Sequence, residues 1–184
     1  METLPPCSST RVICIDGRSA AGKTTLAAAL GDAIRADVIH MDDFFLPPDL
    51  RTRERFAEAG GNVHYERFAE EVLPFIRKEA AFSYGRFNCH EMKITERRTI
   101  SSTAWRIVEG AYSMHPRFGE YADMKIFVDI SPDEQLRRII SRNGATQAEA
   151  FRTRWIPLEE AYFNAFGLPS SMKENSSVPF LLID

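Results

Sequence analysis

Apolar residues along the chain fall into two alternating rhythms. Short unbroken runs rich in β-branched residues occur at Arg11–Asp16 (RVICID), Asp37–Met41, Trp105–Glu109 (WRIVE), Lys125–Ile130 (KIFVDI) and Val178–Ile183 (VPFLLI). Each predicts a buried strand. Between them the spacing turns helical. Gly22–Arg35 sets Leu26, Leu30, Ala33 and Ile34 on one face of an Ala-rich segment. Tyr65, Phe68, Val72, Phe75 and Ile76 form a second stripe, with a kink or restart expected at Pro74. A helix over 133–142 gathers Leu136, Ile139 and Ile140 on one side and Arg138 and Arg142 on the other. Phe151, Trp155, Leu158, Tyr162 and Phe166 mark a last helical stretch, interrupted at Pro157.

The remaining segments are less regular. Two adjacent prolines in DDFFLPPDL end any element after the second strand, and the charged stretch 49–62 closes on Gly60-Gly61 as a loop or short helix. In 81–100, Phe82, Tyr84 and Phe87 alternate with polar residues as in a small hairpin, and 111–121 reads as a loop with a short helix. Strands alternating with helices, each strand an apolar run, predict a parallel sheet covered on both faces. The expectation is one three-layer α/β domain over 1–184 with about five parallel strands.

Composition narrows the class. The 184 residues are 44% hydrophobic, enough for a core. Against 26 acidic residues stand 23 basic ones, a net charge of −3, which argues against a nucleic-acid-coating protein. No apolar stretch approaches the roughly 20 residues that span a bilayer, and Met1–Arg11 lacks the pattern of a signal peptide. Cys7, Cys14 and Cys89 form no paired set, so a reduced, cytoplasmic setting is expected. The four histidines have no zinc-ligand spacing.

The sharpest chemical signal is Gly17-Arg-Ser-Ala-Ala-Gly22-Lys23-Thr24, which satisfies G-x-x-x-x-G-K-[ST] between a predicted strand and a predicted helix. Glycines let backbone N–H groups turn around phosphate oxygens, and the helix N-terminus adds partial positive charge. Gly17, Ser19, Ala20, Ala21, Gly22, Lys23, Thr24 and Thr25 are therefore the candidate nucleotide cradle. Lys23 is expected on the β- and γ-phosphates and Thr24 on Mg²⁺. No Asn-Lys-x-Asp guanine reader and no LSGGQ-like segment occurs. Asp42-Asp43 and Glu109 stand at the carboxyl ends of predicted strands, where ligands collect in open α/β sheets. A carboxylate there accepts a proton or helps hold Mg²⁺, or it simply caps a turn. Arginine outnumbers lysine 18 to 5, and Arg137, Arg138, Arg142, Arg152 and Arg154 crowd one segment, as a phosphate-clasping lid or a solvated face.

GRSAAGKTT, then MDDFF after the second strand, then IVEGAYS after the third, resembles the uridine kinase and phosphoribulokinase family of P-loop kinases. HYERF at 64–68 and RRIISRNG at 137–144 extend the likeness over most of the chain. The resemblance implies a P-loop NTPase fold with a helical lid at about 137–160 and an acceptor-side loop at about 44–64. It implies transfer of the γ-phosphoryl of ATP, with Mg²⁺, to a hydroxyl of a nucleoside or similar small molecule. It places the catalytic base on Asp42, also near the metal, and a second Mg²⁺-associated acid on Glu109. Arg138 and Arg142 join Lys23 as catalytic candidates, while Phe44, Phe45, Tyr65, Tyr112, His115 and Arg117 fall in acceptor-pocket segments. Asp43 departs from the family's small polar residue, and Arg137-Arg138-Ile-Ile-Ser-Arg142-Asn143 is one residue longer than its R-R-x-x-R-D lid pattern. Two rivals stay open: a kinase of another alcohol, pantothenate-like or a sugar phosphate, for which Arg51, Arg53, Arg55 and Arg67 are the basic candidates, and a non-catalytic nucleotide switch. No nucleic-acid or membrane partner is expected, and a homo-oligomer stays open.

Overall fold

The structure, a computed structural model, describes residues 9–170 and 177–184. Cys7 and most of the Met1–Arg11 segment lie outside the described residues. Five parallel strands form the main sheet: β1 (Arg11–Gly17), β2 (Asp37–His40), β5 (Trp105–Glu109), β6 (Met124–Val128) and β7 (Phe180–Ile183), in the order β2-β5-β1-β6-β7. Between β2 and β5 the chain makes an antiparallel hairpin, β3 (Phe82–Asn88) and β4 (Lys93–Ile100), with a bulge at Arg86/Phe87. All five predicted strands and the hairpin are thus present.

The apolar runs are buried on both faces, yet period-two alternation still sorts them. Ile13, Ile15 and Ile107 pack with Ala27 and Val128 in one layer, against α1 (Lys23–Ile34). Val12, Cys14 and Val108 face a larger layer containing Phe68, Val72, Tyr121, Tyr162 and Phe163. Ile15 is wholly buried, and Ile15→Ala should cost about 2–5 kcal/mol.

Helix α2 (Arg53–Ala57) lies in the charged loop, and α3 (Tyr65–Glu71) carries the second apolar stripe. The chain does not resume a helix past Pro74; it turns, leaving Phe75 exposed and Ile76 buried. The turn is held by the buried Arg106 of β5, whose guanidinium donates to Phe75, Ile76 and Ala80 carbonyls at 2.8 Å and to Ser101 at 3.0 Å. The Phe75, Ile76 and Ala80 carbonyls are ones a continued helix would have satisfied within itself.

Helix α4 (Pro132–Asn143) starts at an N-cap, Ser131, whose hydroxyl accepts from the Glu134 N–H at 3.4 Å. Its inner face differs from the expected stripe. Ile139 is buried, but Ile140 is 45% exposed and Gln135 takes the inward position, donating to the Ser19 carbonyl at 3.1 Å. Beyond α5 (Ala145–Ala150) the helix widens into a π turn, Phe151–Trp155, and then continues as α6 (Ile156–Phe166). Pro157 does not interrupt the helix. It has no N–H for the Thr153 carbonyl, and the neighbouring Ile156 N–H bonds five residues back to Phe151. Among the described residues no helix is long and apolar enough to cross a membrane.

Candidate functional site

The strand order reverses at β1, which lies between β5 and β6, so the carboxyl ends of β1, β2 and β5 open on one crevice. At its floor lies a cavity of about 670 Å³.

The loop after β1 needs glycine at its first position. Gly17 has φ +138°, and a Cβ there would stand 2.0 Å from the Val128 carbonyl oxygen of β6. The preceding Asp16, wholly buried, accepts from the N–H groups of Gly17 (2.7 Å), Tyr112 (3.1 Å) and Met114 (2.9 Å) and from the Tyr162 hydroxyl (2.9 Å). Burial pushes its carboxyl up, against the pull of those bonds. One side chain thereby ties the loop to the segment after β5 and to α6. Lys23 donates to the Gly17 (2.7 Å) and Arg18 (2.8 Å) carbonyls, and Ser19, Ala20, Gly22, Lys23, Thr24 and Thr25 line the cavity. Gly17 and Ala21 of the predicted cradle are not on its wall; they shape the loop from behind.

Helices α4 and α6 clasp this loop. Arg18 bonds Asp129 (2.5 Å) and Glu160 (2.8 and 3.0 Å), and Arg138 reaches the Ala20 carbonyl at 3.3 Å. Glu159, buried, accepts from the Ser19 N–H at 3.0 Å and from the Ser19 hydroxyl. Burial raises the Glu159 carboxyl, which Lys23 opposes most strongly. A side-chain carboxylate thus lies against the candidate nucleotide cradle.

Beside the loop, Glu109 accepts from the Thr24 hydroxyl at 3.2 Å (Oε2) and is 2.5 Å from His40 Nδ1 (Oε1). The sheet register pairs His40 of β2 with Glu109 of β5, so backbone pairing itself brings imidazole and carboxylate together. Asp42 lies past the end of β2 on the cavity wall, reached by solvent through the cavity but enclosed by protein. Burial first, then the charge of Glu109, raises its carboxyl, while Lys23 and His40 pull it down. Among the described residues no cluster of three or more His, Cys, Asp or Glu forms a metal cage. Thr24 and Glu109 nevertheless offer only oxygen, which suits Mg²⁺, a hard cation that keeps waters and phosphate oxygens in its shell.

Arg138 and Arg142 also line the cavity, so their face of α4 looks onto the site. The acceptor-pocket candidates divide. Tyr112 is on the wall, but Phe44, Tyr65, His115 and Arg117 are not. Phe44 is wholly buried between Tyr84 (ring centroids 5.1 Å) and Phe68 (5.2 Å), and its neighbour Phe45 faces the cavity. Tyr65 donates to Glu58 at 2.8 Å and stacks on His115, whose Nε2 is 3.1 Å from the Ala59 carbonyl; Arg117 lies over the Tyr65 ring at 4.4 Å. Tyr65 and His115 thus brace the 58–60 turn through Glu58 and Ala59. A Cβ on Gly60 would meet His115 at 2.5 Å, so the loop is seated on that ring. Burial lowers the His115 imidazole, in keeping with a packing role.

The rest of the cavity lining comes from elsewhere: Phe45, Arg51, Phe56 and Asn62 of the 44–64 segment, and Cys89 and Met92 of the β3–β4 tip. The hairpin is anchored by Asp43. This buried carboxylate accepts from the Tyr84 hydroxyl (2.9 Å) and faces Arg98 (3.3 Å) and Arg86 (3.5 Å). The departure from a small polar residue at 43 therefore has a structural reason. Phe151 and Trp155 of the π turn also line the cavity.

No protein-family model and no curated protein matches the sequence. Among solved structures, the chain is similar to a possible uridine kinase from Bacillus stearothermophilus, at 18% identity and TM-score 0.69, covering 98% of this chain and 91% of that one. It is also similar to a candidate fructose transport system kinase from Silicibacter sp. TM1040, at 16% identity and TM-score 0.71, covering 88% of each chain. At such identities the likeness establishes the fold: a three-layer α/β P-loop NTPase fold around a five-stranded parallel sheet.

Proposed function

We propose that a chain with this fold and this cavity is an ATP-dependent phosphotransferase acting on the hydroxyl of a small molecule in the cytoplasm. The observation that carries the reading is the meeting of three groups in one cavity: Lys23 and Thr24 of the loop, Glu109 from β5 and Asp42 from the turn after β2. Loop N–H groups and Lys23 hold the β- and γ-phosphates. Thr24 and Glu109 are the oxygens for Mg²⁺, which when bound neutralises charge on the phosphates. His40, bonded to one carboxylate oxygen, orients the other.

Asp42 accepts the proton of the acceptor hydroxyl. The acceptor oxygen bonds to the γ-phosphorus, the bond from that phosphorus to the β,γ-bridging oxygen breaks, and ADP leaves. A carboxyl raised by burial and by Glu109 is a stronger base than an ordinary aspartate, as this role needs. Arg138 and Arg142 supply guanidinium groups to the transferring phosphoryl, and closure of α4–α6 keeps water from competing.

For the acceptor, a nucleoside of the uridine or cytidine type is the reading drawn from the resemblance. Phe45, Phe56 and Tyr112 on the wall offer flat faces for a planar ring. ADP release with ATP·Mg²⁺ should be stimulated by one member of a panel of nucleosides, pantothenate and sugar phosphates. Asp42→Asn should abolish that stimulation, by about 10²–10⁴-fold, while ATP affinity stays within a few-fold. Loss of ATP binding in Asp42→Asn would overturn the base assignment; ATP binding without turnover against any acceptor would favour a nucleotide switch.

A further inference from the structure

We propose that Gln135 is a positioning residue of the nucleotide loop. By holding the Ser19 carbonyl from α4, it keeps Ala20 in the left-handed conformation in which the loop receives phosphate. The inference rests on the reading that this loop takes the phosphates of a nucleotide, and it concerns a residue outside the loop motif.

Ala20 lines the cavity at φ +62°. A residue with a Cβ is disfavoured in that region, and glycine is not. Alanine has no polar side chain with which to hold itself there, so the conformation persists because its surroundings over-determine it. The torsion concerned is set by the Ser19–Ala20 peptide, whose oxygen belongs to Ser19. Fixing that oxygen fixes φ of Ala20.

Gln135 holds it. Its carboxamide donates to the Ser19 carbonyl at 3.1 Å, and the residue is 2% exposed. A buried polar side chain on the packing face of a helix is costly without a partner, and Ser19 is the partner that the structure provides. Gln135 does not line the cavity, so it acts on a ligand only through the loop. One turn along α4, Arg138 donates to the Ala20 carbonyl at 3.3 Å and so braces the next peptide.

Four successive loop carbonyls are therefore taken by side-chain donors. Lys23 holds those of Gly17 and Arg18 at 2.7 and 2.8 Å, Gln135 that of Ser19, and Arg138 that of Ala20. A carbonyl oxygen turned toward an incoming phosphate repels it, whereas an N–H attracts it. Each donor thus favours the phosphate-ready loop, but they differ once phosphate is present. Lys23 and Arg138 are cations that the proposed reaction assigns to phosphate oxygens. Glu159, which accepts from the Ser19 N–H at 3.0 Å, carries a charge that phosphate repels. Of these four side chains Gln135 alone is neutral, and it keeps its bond when the loop is filled.

The test measures affinity for the β,γ-imido analogue of ATP with Mg²⁺, by calorimetry, in two backgrounds. Gln135→Met keeps an unbranched, helix-forming side chain and removes the donor. It should bind the analogue about tenfold more weakly than the wild type, the effect of stranding one buried carbonyl. In an Ala20→Gly background the left-handed turn needs no support, so the same substitution should weaken binding by about threefold or less. A glutamine that only packs α4 would lower stability in urea and weaken the analogue equally in both backgrounds. That equality would overturn the proposal, as would Gln135→Met binding within about twofold of the wild type. Gln135→Leu carries the same comparison if Gln135→Met does not fold. Failure of the wild type to bind the analogue would instead strike the nucleotide reading, and this proposal with it.

Discussion

The two ends of the cavity, phosphate end and acceptor end in the proposed reading, are assembled by opposite means. At the phosphate end one contiguous stretch, 17–25, supplies nearly every group, and most are backbone atoms fixed by a strand, a turn and a helix start. At the acceptor end the wall is made of side chains from the acceptor-side loop, the β3–β4 tip and the π turn, which meet only because distant segments pack. A backbone cradle tolerates sequence change around it and recognises what all nucleotides share. A side-chain wall changes with each residue and reads what differs between acceptors.

If that division holds, substitutions at the two ends should damage different quantities. The largest effect is expected at Lys23. Lys23→Ala removes the loop's cation and its bonds to Gly17 and Arg18, and kcat/KM for ATP should fall by about 10²–10³-fold. A loss under tenfold would break the assignment. Next comes Asp43→Ala, which strands Tyr84, Arg86 and Arg98 without their shared carboxylate. Urea unfolding should show a loss of about 2–3 kcal/mol, and acceptor KM should rise more than ATP KM. Equal changes in both KM values would erase the distinction between the two ends.

A smaller effect, of opposite sign, is expected from Glu159→Gln. The carboxylate lies against the Ser19 N–H beside Lys23, so removing its charge should tighten ATP·Mg²⁺ severalfold while ADP is little altered. Weaker ATP binding in the variant would make Glu159 a support of the loop instead. The smallest concerns the acceptor-side loop alone. Partial burial pushes the Glu66 carboxyl up, but the Arg55 clasp prevails and holds it at about 2, below the ordinary 4.5. A depressed carboxyl stabilises the fold above the unfolded value, and that contribution fades as pH falls from about 4.5 toward 2. Glu66 is half exposed, so the amount is below about 1 kcal/mol. Stability curves of wild type and Glu66→Gln should converge over that window, and a constant gap would contradict the clasp.

The same division explains how far the sequence could be read. Strand and helix periodicity is local, and so is the loop motif; both are visible without tertiary knowledge. Asp42 and Glu109 were legible because strand ends are, and strand ends converge in a parallel sheet. Asp16 carries its own signal in the sequence: an acid closing an apolar strand directly before the loop, where burial demands partners. Phe44 and Phe45 could not be told apart, since a 3₁₀ turn has neither the parity of a strand nor the stripe of a helix. Arg51 stands out from Arg53, Arg55 and Arg67 only in the structure, where it lines the cavity while Glu66 and the Asp43 and Gly85 carbonyls engage two of the others. Cys89, Met92 and Glu159 carried no signal, because the packing of the hairpin on Asp43 and of α6 on Ser19 spans long stretches of chain.

The π turn at Phe151–Trp155 has a mechanical meaning. It stores one residue of slack between α5 and α6, and a helix advances about 100° per residue. Were that slack drawn into regular α-helix, α6 would rotate like an indexed shaft by one step. Glu159 would swing off Ser19 and a neighbour would take its place, with the sheet undisturbed. One residue gained or lost between 151 and 155 would thus decide which side chain meets the loop.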